Sequence, residues 1–532
     1  MGDLAKVPVP TPEELASHYR ATRLWDGAGL RSGLEAIAET DPHRLAVADH
    51  AETLSYEQLR TRVECAVTAL RGRGVAPGDA VVLIAPNTVP AAVVFAALLR
   101  CSAVVVALDR RCGAADVAHA IAATRARLAV VPEGSIAALR LAEHDIGVAG
   151  LAEVQSGPAT DAEWVEPEKS DARIILFTSG TTSRPKAVVH TLHTFSAGVR
   201  NLATAFGFGP GDAPFLSSPL ASITGLSQLQ MALNGNHIVL DDDFEPGRSL
   251  ALLERHGATV LGGAPVLLEM LFSEYARRGS TRSSLSVVAL GGAMIPRAVL
   301  EVAVSRFGIR PVRVYGSSEV PTHAATPLSD PIEGAMTDEG VPLNGGEIDV
   351  GSASDRSELI VRGPNMFQGY LDDAHNVDAF DRGWFRTGDL AEITDGKLAI
   401  RGRLKEVVAR KGMKISLAEL DAAVAGLPHA LEWAAFGVPD TQTGERLVLA
   451  VRADASDTVD YEAVRAYLLA AGIARGKLPE QVDVWSEPLP RTPSGKIQRN
   501  RLSPPSGHVR TTFAPRLQAA ALPDGSFLTD RQ

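Results

Sequence analysis

The sequence predicts an α/β protein in which two α/β units and a small antiparallel β-barrel precede a second, smaller domain. Helical and strand-like patterns alternate from Leu54 to Val131 and resume after the polar connector at residues 152–171, as in parallel α/β units. After Glu347 the strand-like runs become short and turn-separated, which favours a small antiparallel barrel. Another α/β pattern begins at about Gly402. A chain of 532 residues also exceeds what one hydrophobic core usually supports, so at least two domains are expected.

The first elements follow from local patterns. Apolar periodicity predicts a helix from about Leu54 to Gly72, and a strand at Ala80–Ile84 follows a glycine-rich turn. The most apolar stretch, Val89–Leu108, is interrupted by Arg100 and is typical of a buried helix followed by a strand, not of a membrane span. The first residues lack the apolar region of a signal peptide, so we expect a cytoplasmic protein.

Composition argues against several classes of protein. The net charge of −11 argues against a nucleic-acid partner, which normally needs a basic surface. The hydrophobic content of 45% and the charged content of 22% are typical of a globular protein. The three cysteines, Cys65, Cys101 and Cys112, contain no CxxC pair, so neither a disulfide framework nor a zinc site is expected. Each cysteine is expected to be a small buried apolar residue and not a nucleophile.

A hydroxyl-rich loop follows a buried strand predicted at Ile174–Phe177. Gly180 permits positive φ, so successive backbone N–H groups can form a nest for an anion. The hydroxyls add donors, Lys186 adds a positive charge, and a helix is expected from about Thr191. The loop suits phosphate, although an ordinary Ser/Thr-rich surface turn is the alternative, and the Walker A pattern occurs nowhere in the chain. The candidate phosphate-binding residues are Thr178, Ser179, Gly180, Thr181, Thr182 and Lys186.

Residues 178–187, TSGTTSRPKA, resemble the phosphate-binding signature TSGTTGxPKG of the adenylate-forming superfamily. This superfamily includes acyl-CoA synthetases, aryl-acid ligases, adenylation domains of peptide synthetases and luciferases. The chain has Ser183 and Ala187 where the family usually has glycine, and both replacements narrow the allowed backbone angles. The resemblance extends from about Leu54 to Leu502 and includes further motifs in the family's order, so the chain is identified as a member.

The second motif, at residues 315–319, follows a predicted strand and resembles the family's YGxTE signature. A carboxylate and a hydroxyl at the carboxyl end of a strand can hold Mg²⁺, which prefers oxygen ligands and bridges phosphates. The resemblance implies that Ser318 and Glu319 hold magnesium and that Tyr315 stacks on adenine, with Gly316 also at the nucleotide. The alternative is a glutamate that caps the next turn.

The third motif, GWFRTGDL at residues 383–390, matches the family's GWxxTGDL, and its Asp389 is expected to bind the ribose hydroxyls. The alternative is a turn aspartate that bonds its own backbone. In the following GRLKE segment, Arg403 is a candidate clamp on ribose or phosphate, and Lys405 occupies the family's hinge position. Gly412 matches the glycine that borders the pantetheine tunnel of thiol-transferring relatives, and Gly292 lies in another of the family's glycine turns.

The last motif, PRTPSGKIQR at residues 490–499, resembles the family's PxTxxGKxxR. There, Lys496 would bridge the attacking carboxylate and the α-phosphate. Adenylation brings two anions together, so a cation between them is the main electrostatic requirement. Thr178, Glu319 and Lys496 are therefore the catalytic candidates, with Lys405 as the hinge. Without the resemblance, a surface turn would be the better interpretation of the Ser-Gly-Lys sequence.

Family membership implies a specific domain organisation and reaction. We expect a large N-terminal domain at residues 1–401 that binds ATP and the acid, a small mobile α+β domain at residues 402–510, and a flexible tail at residues 511–532. The implied reaction uses Mg²⁺ and ATP to convert a carboxylic acid into an acyl-adenylate and pyrophosphate. The acyl group then passes to an acceptor, most often the thiol of coenzyme A or of a carrier protein.

The acid pocket of relatives corresponds to the segment Pro219–Gly225, the Gly262–Gly263 region, the Gly291 turn and the start of the Tyr315 motif. No aspartate that could hold an α-ammonium group is present there, and Ser222 replaces the histidine of many acyl-CoA ligases. Small residues leave room for a ring or a medium chain, although packing of a helix start is an equal alternative. We therefore favour an aromatic, alicyclic or medium-chain acid. The candidate pocket residues are Ala221, Ser222, Gly225, Gly263, Gly291 and Ser317.

Three functions remain open at this point. The leading one is an acid–thiol ligase that uses coenzyme A. The second is a stand-alone adenylating enzyme of a biosynthetic pathway, which loads a carrier protein or uses an amine or nitrite. The third is a non-catalytic nucleotide-binding relative. Against it counts the presence of all four expected site residues, Glu319, Asp389, Arg403 and Lys496. The acid, the acceptor and the oligomeric state stay open, with a homodimer as one alternative, and no membrane partner is expected.

The role assigned to Lys496 gives a first prediction. Lys496→Ala should lower adenylation about 10²- to 10³-fold, the range for losing one preorganised charge-stabilising donor. It should spare thioester formation from supplied acyl-adenylate. Equal losses in the two half-reaction assays would contradict the assignment.

Overall fold

The structure is a computed structural model. It describes residues 7–9, 11–25, 32–135, 139, 141–159, 171–178, 185–209, 211–263, 265–280, 283–291, 297–352, 355, 357–404, 406–410, 413–440, 443–454, 458–491, 497–503 and 509–518. Two compact units divide the chain. The first contains Met1–Ala353, Ile360–Thr387 and Ile393–Ala399, and the second contains Ser354–Leu359, Gly388–Glu392 and Ile400–Gln532.

The strands up to Arg403 form three sheets. In chain order they are β1 (Leu45–Ala48), β2 (Thr53–Ser55), β3 (Ala80–Ile84), β4 (Val104–Leu108), β5 (Leu128–Val131), β6 (Gly147–Gly150), β7 (Ala172–Thr178), β8 (Lys186–Thr191), β9 (Pro214–Leu216), β10 (Ile238–Leu240), β11 (Val260–Gly263), β12 (Val287–Gly291), β13 (Arg310–Tyr315), β14 (Ala324–Ala325), β15 (Val341–Pro342), β16 (Glu347–Val350), β17 (Glu358–Arg362), β18 (Phe380–Asp381), β19 (Trp384–Thr394) and β20 (Lys397–Arg403).

Helices separate most of these strands. In chain order they are α1 (Glu13–Ala21), α2 (Ser32–Thr40), α3 (Tyr56–Gly72), α4 (Val89–Arg100), α5 (Ala114–Thr124), α6 (Leu192–Phe206), α7 (Ile223–Leu233), α8 (Pro246–Arg255), α9 (Pro265–Arg277) and α10 (Arg297–Phe307).

The first sheet has the order β6-β5-β3-β4-β7-β8, and every neighbouring pair is parallel except β7 and β8. Its central strands are continuous apolar runs that are buried along their whole length, as expected for parallel strands covered on both faces. The second sheet has the order β15-β14-β13-β12-β11-β9-β10-β1-β2, with parallel pairing from β13 through β1. The two predicted α/β units are therefore confirmed.

The region after Glu347 forms a five-stranded sheet with the order β16-β17-β19-β18, in which β20 also pairs with β19. This sheet corresponds to the predicted small antiparallel barrel. Its strands alternate between covered and partly exposed positions, which is typical of a sheet with one solvated face.

The second unit has its own sheet and core. The sheet order is β22-β21-β24-β25-β26, and β23 also pairs with β24. Val408, Leu449 and Val482 lie in its apolar core. The elements are β21 (Val407–Arg410), β22 (Met413–Ser416), α11 (Leu417–Val424), β23 (Ala430–Asp440), β24 (Gly444–Ala453), α12 (Tyr461–Ala470), β25 (Gln481–Trp485), β26 (Val509–Phe513) and α13 (Pro515–Gln518).

The helix expected from about Thr191 is confirmed, because Thr191 caps α6. Strand β8, which was not predicted, lies between the loop and this helix and pairs with β7. One sequence-based expectation needs correction. The expected tail from residue 511 begins inside β26, whose residue Thr512 pairs with Val482 of β25. Both segments are ordered by pairing with a neighbouring strand, which local composition does not reveal.

The interpretation of Val89–Leu108 is confirmed. Helix α4 is buried on all sides, and β4 follows it. In the part of the chain that the structure describes, no helix combines the length and apolar composition needed to cross a membrane. Cys65 and Cys101 are buried and Cys112 is half-buried. Burial raises the pKa of Cys101 to about 11 and that of Cys112 to about 12, so neither thiol is a ready nucleophile.

The backbone at Gly340 gives a stability prediction. Its φ is +73°, and an added Cβ would clash with the carbonyl of Ala325 in β14. Gly340→Ala should lower the midpoint of thermal unfolding at least twice as far as Gly257→Ala. Gly257 also has positive φ, at +58°, but faces open space, so its variant bears only the cost of the left-handed backbone, about 1–2 kcal/mol. Equal decreases of the unfolding midpoint in the two variants, measured by calorimetry, would show that the close contact between Gly340 and β14 does not affect stability.

Candidate active site

The hydroxyl-rich loop joins two paired strands of the first unit. Thr178 ends β7, Lys186 begins β8, and the two residues are partners in the antiparallel register. The hydroxyl of Thr178 also donates to the carbonyl of Lys186 at 3.5 Å. Both ends of the predicted phosphate-binding loop are thereby held at one place, and residues 179–184 between them lie outside the described part of the chain.

A segment from the far end of the first unit runs along β8. The N–H of Gln368 donates to the carbonyl of Val189 at 2.8 Å, and the N–H of Val189 donates to the carbonyl of Gly369 at 3.1 Å. Val188 and Tyr370 form an antiparallel bridge. This pairing brings the buried ring of Tyr370 beside Lys186, whose Nζ lies 4.6 Å from the ring centroid. The contact is a cation–π interaction.

A tight turn follows β13 and carries the second motif. Tyr315 ends the strand and is buried. A Cβ on Gly316 would lie 2.5 Å from the amide nitrogen of Thr322, so only glycine fits. The hydroxyl of Ser317 accepts the N–H of Glu319 at 3.2 Å. The turn thus presents Glu319 at the carboxyl end of β13, where the sequence predicts it.

The hydroxyl of Tyr370 donates to Oε1 of Glu319 at 2.8 Å. The N–H of Phe367 also donates to the carbonyl of Glu319 at 2.7 Å. Burial and, next, the charge of Glu319 raise the pKa of Tyr370, so the phenol stays protonated and remains a donor. Tyr370 therefore connects Lys186 to Glu319, two predicted site residues that are far apart in the sequence.

His190 on β8 is fully buried behind this turn. Its Nε2 lies 2.7 Å from the carbonyl of Ser318, and its Nδ1 lies 3.1 Å from the hydroxyl of Thr194. The carbonyl can only accept, so Nε2 donates and Nδ1 accepts. Burial lowers the pKa of His190 to about 4, which keeps the ring neutral. The backbone of Ser318 is thereby tied to β8.

Three predicted residues lie side by side at the carboxyl ends of parallel strands. Gly263 ends β11, Gly291 ends β12 and Tyr315 ends β13, and the register aligns these ends. A Cβ on Gly291 would lie 2.5 Å from the carbonyl oxygen of Val314, so the neighbouring strands require glycine there. This edge is where open α/β sheets bind ligands.

The segment predicted to line the acid pocket starts helix α7. The hydroxyl of Ser222 donates to the carbonyl of Pro219 at 2.7 Å and accepts the N–H of Gly225 at 3.0 Å, as an N-cap does. A Cβ on Gly225 would lie 2.7 Å from the carbonyl oxygen of Leu220. Ala221 is partly buried against the core. Of the two alternatives for Ser222 and Gly225, packing of a helix start accounts for the contacts that these residues make.

Asp389 and Arg403 meet in the second unit. Arg403 Nε donates to Oδ1 of Asp389 at 2.8 Å, with the aspartate side chain 8% exposed and the arginine 54%. The N–H of Gly388 donates to Glu358 at 3.1 Å, and that of Leu404 donates to the carbonyl of Gly388 at 2.8 Å. The two predicted ribose ligands are thus brought together on a fixed turn.

Arg499, three residues after Lys496, anchors the last motif to the second unit. Its Nε donates to the carbonyl of Ala435 at 2.9 Å, and its guanidinium pairs with Asp421 and, at 3.3 Å, with Glu406. Burial raises the pKa of Asp421 to about 6, although the Arg499 charge opposes that shift. Neither Asp421 nor Arg499 was assigned a role from the sequence motifs.

Several predicted residues lie outside the described part of the chain and stay predictions. They are Ser179, Gly180, Thr181, Thr182, Ser183, Gly292, Lys405, Gly412 and Lys496. Among the residues that are described, no group of three or more His, Cys, Asp or Glu side chains could hold a metal ion.

Comparisons with known proteins give a consistent result. A model described as AMP-binding enzyme matches residues 34–371, and one described as AMP-binding enzyme C-terminal domain matches residues 419–496. A salicylyl-CoA synthase / salicylate adenylyltransferase from Streptomyces sp is 30% identical over 93% of this chain and 96% of its own length. A 2-hydroxy-7-methoxy-5-methyl-1-naphthoate–CoA ligase from Streptomyces carzinostaticus is 28% identical over 95% of this chain and 98% of its own.

Solved structures share the fold. The o-succinylbenzoate CoA synthetase from Bacillus subtilis, in complex with its acyl-adenylate intermediate, superposes with a TM-score of 0.79 at 22% identity. The match covers 88% of this chain and 97% of that one. The large region of sheets followed by a smaller domain is therefore a fold that this chain shares with that synthetase.

The buried His190 gives a pH prediction. Its pKa of about 4 lies below the ordinary 6.5, so the unfolded state binds more protons than the folded state between these values. The contribution of the neutral His190 ring to the unfolding free energy is fully present above pH 6.5 and is lost as the pH falls towards 4. At 1.36 kcal/mol per pH unit, the loss from pH 6.5 to 5 is about 2 kcal/mol.

His190→Gln should therefore lose less unfolding free energy than wild type over that pH range, as measured by urea unfolding at each pH. His43→Gln, at an exposed histidine, controls for removal of a histidine as such. A wild-type slope in His190→Gln would contradict the assignment of a buried neutral ring.

Proposed function

The chain belongs to the family of AMP-binding enzymes, and we propose that it uses ATP to activate an aromatic carboxylic acid as an acyl-adenylate and then transfers the acyl group to the thiol of coenzyme A. It is an AMP-forming acid–thiol ligase by this assignment. The observation that carries the proposal is the link from Lys186 through Tyr370 to Glu319, because it joins a phosphate-type cation to a metal-type carboxylate.

The first step joins two anions. A carboxylate oxygen of the acid attacks the α-phosphorus of ATP, a new P–O bond forms, and the P–O bond to pyrophosphate breaks. Lys186 and the loop that starts at Thr178 would hold the phosphates, and Lys496 would offset the charge between carboxylate and α-phosphate. In the second step the thiolate sulfur attacks the carbonyl carbon, and AMP leaves with the electron pair of the acyl–oxygen bond.

Glu319 and Ser318 suit a magnesium ion. Oε1 of the half-buried Glu319 accepts a hydrogen bond from Tyr370, and the Ser318 carbonyl accepts one from His190. The second carboxylate oxygen of Glu319 and the hydroxyl of Ser318 are then the candidate metal ligands. A site with one carboxylate is typical of Mg²⁺ that arrives with a nucleotide and keeps several waters. When bound, the ion offsets the negative charge of the phosphates.

The remaining predicted residues have roles at the nucleotide and at the acceptor. Tyr315 would stack on adenine, and Asp389 with Arg403 would bind the ribose. The domain at residues 402–510 would move about Lys405 and, in its second orientation, present Gly412 to the pantetheine arm. These roles rest on the family motifs.

The names of relatives support an aromatic acid. The relatives reported above carry names that refer to salicylate and to a substituted naphthoate. An alicyclic or medium-chain acid remains the alternative.

Acid-dependent exchange of labelled pyrophosphate into ATP tests the proposal. Aromatic, alicyclic and medium-chain acids are offered to the full chain with Mg²⁺, and we expect aromatic acids to give the highest kcat/KM. The responding acid is then incubated with coenzyme A, a carrier protein, hydroxylamine or nitrite, and we expect thioester with coenzyme A. Exchange with none of the acids would overturn the proposal, and product only with another acceptor would overturn the coenzyme A assignment.

Tyr370 gives the sharpest prediction for the metal side. Tyr370→Phe keeps the ring beside Lys186 but removes the donor to Glu319, so the Mg²⁺ concentration for half-maximal exchange should change about 10-fold or more, the range for a hydrogen bond to a charged group. Tyr275→Phe is the matched control, because it removes another buried phenol that donates, at 2.9 Å, to Ser283. If both variants have the wild-type Mg²⁺ dependence, Tyr370 only packs.

A further inference from the structure

A buried amide lies beside the strand edge that carries the proposed acid site. Gln228 is in α7, and its side chain is 0% exposed. In the described part of the chain, neither the oxygen nor the nitrogen of this amide has a hydrogen-bond partner. Most buried polar groups in proteins are paired, and an unpaired one is costly. The amide therefore needs a partner that these residues do not provide.

The amide faces the carboxyl end of β11. A Cβ on Gly262 would lie 3.3 Å from Nε2 of Gln228 and 3.1 Å from Cζ of Phe206. Gly262 thus allows the amide and the ring to approach the strand backbone closely. Gly262 pairs with Ala289 of β12 in the parallel register, so Gly291, two residues after Ala289 and one of the predicted pocket residues, lies on the same face of the sheet. The unpaired amide is therefore on the face that carries Gly291, near the carboxyl edge of the sheet where the acid would bind.

A second unpaired group lies at the same edge. Ser217 directly follows β9, the parallel neighbour of β11. Its hydroxyl oxygen is buried and, among the residues described, has no hydrogen-bond partner. The two unpaired polar groups thus lie near the carboxyl ends of the adjacent parallel strands β9 and β11, where a polar group of a ligand would satisfy them.

Building on the proposed function, we propose that the acid carries a hydroxyl group on its ring and that Gln228 binds this hydroxyl. An amide both donates and accepts, and so does a hydroxyl, so the two can satisfy each other. The ring of Phe206 beside the amide suits the aromatic body of the acid. An acid with an unsubstituted ring would leave the amide unpaired, so a site built to bind a hydroxyl group disfavours that acid. Gln228 is a specificity-determining residue and not a catalytic one.

Matched pairs of acids test this proposal. The three hydroxybenzoates are compared with benzoate, and 2-hydroxy-1-naphthoate is compared with 1-naphthoate, by acid-dependent pyrophosphate exchange. In the wild type, kcat/KM for the best hydroxy acid should exceed that of its unsubstituted partner about 10- to 100-fold. Gln228→Leu should reduce this ratio to about threefold or less, mainly through KM for the hydroxy acid, and should keep exchange with the unsubstituted acid at or above the wild-type rate.

The same helix offers a matched control. Gln230 is also buried, and it differs from Gln228 in that its Nε2 donates to Asn234 Oδ1 at 3.1 Å, while its Oε1 has no partner among the described residues. Gln230→Leu should keep the wild-type ratio. Gln228→Leu should also have an unfolding midpoint no lower than wild type without substrate, because it removes an unpaired amide. Gln228→Met provides a second test of the ratio should the leucine variant fold poorly.

The outcomes separate this proposal from the proposed function. Exchange that does not discriminate between the paired acids, or a ratio that Gln228→Leu leaves unchanged, overturns the proposal and leaves acid activation intact. A lower midpoint for Gln228→Leu with an unchanged ratio means that the amide is satisfied by buried water, which also overturns it. Exchange with no acid at all overturns the proposed function itself.

Discussion

The phenol of Tyr370 is the contact on which the proposed nucleotide site depends. Its ring lies beside the ammonium group of Lys186, and its hydroxyl donates to Glu319. Backbone pairing with β8 holds Tyr370 in place, so one side chain fixes both a cation at the end of the hydroxyl-rich loop and a carboxylate at the end of β13. Without this contact, the side chains of Lys186 and Glu319 could turn towards solvent. The entropy lost in ordering both side chains would then reduce the affinity for the nucleotide.

Polar groups packed behind the motifs hold the motif residues in place. His190 is buried and uncharged, and it holds the Ser318 backbone against β8. In the second unit, Arg499 holds the end of the last motif against Asp421 and the carbonyl of Ala435. In both units the motif residues thus rest on buried polar partners, which limit how far the motif residues can shift.

Sequence patterns predicted the parallel sheets well, because strands such as β3 and β4 are continuous apolar runs separated by helices. They missed β8 and misplaced the tail, since the order of β8 and β26 comes from partner strands and not from local composition. The second motif placed Glu319 correctly in the turn that follows β13. The motifs did not predict roles for Tyr370, His190 or Gln228, because these roles arise only when distant segments pack together.

A double-mutant cycle tests the central claim most directly. Equilibrium binding of Mg-ATP would be measured for the wild type, Tyr370→Phe, Glu319→Gln and the double variant. If Tyr370 acts through Glu319, Tyr370→Phe weakens binding in the wild-type background and has little further effect with Glu319→Gln, which gives a coupling energy of about 1 kcal/mol or more. Purely additive losses would contradict the account, because they would mean that the phenol and the carboxylate contribute independently.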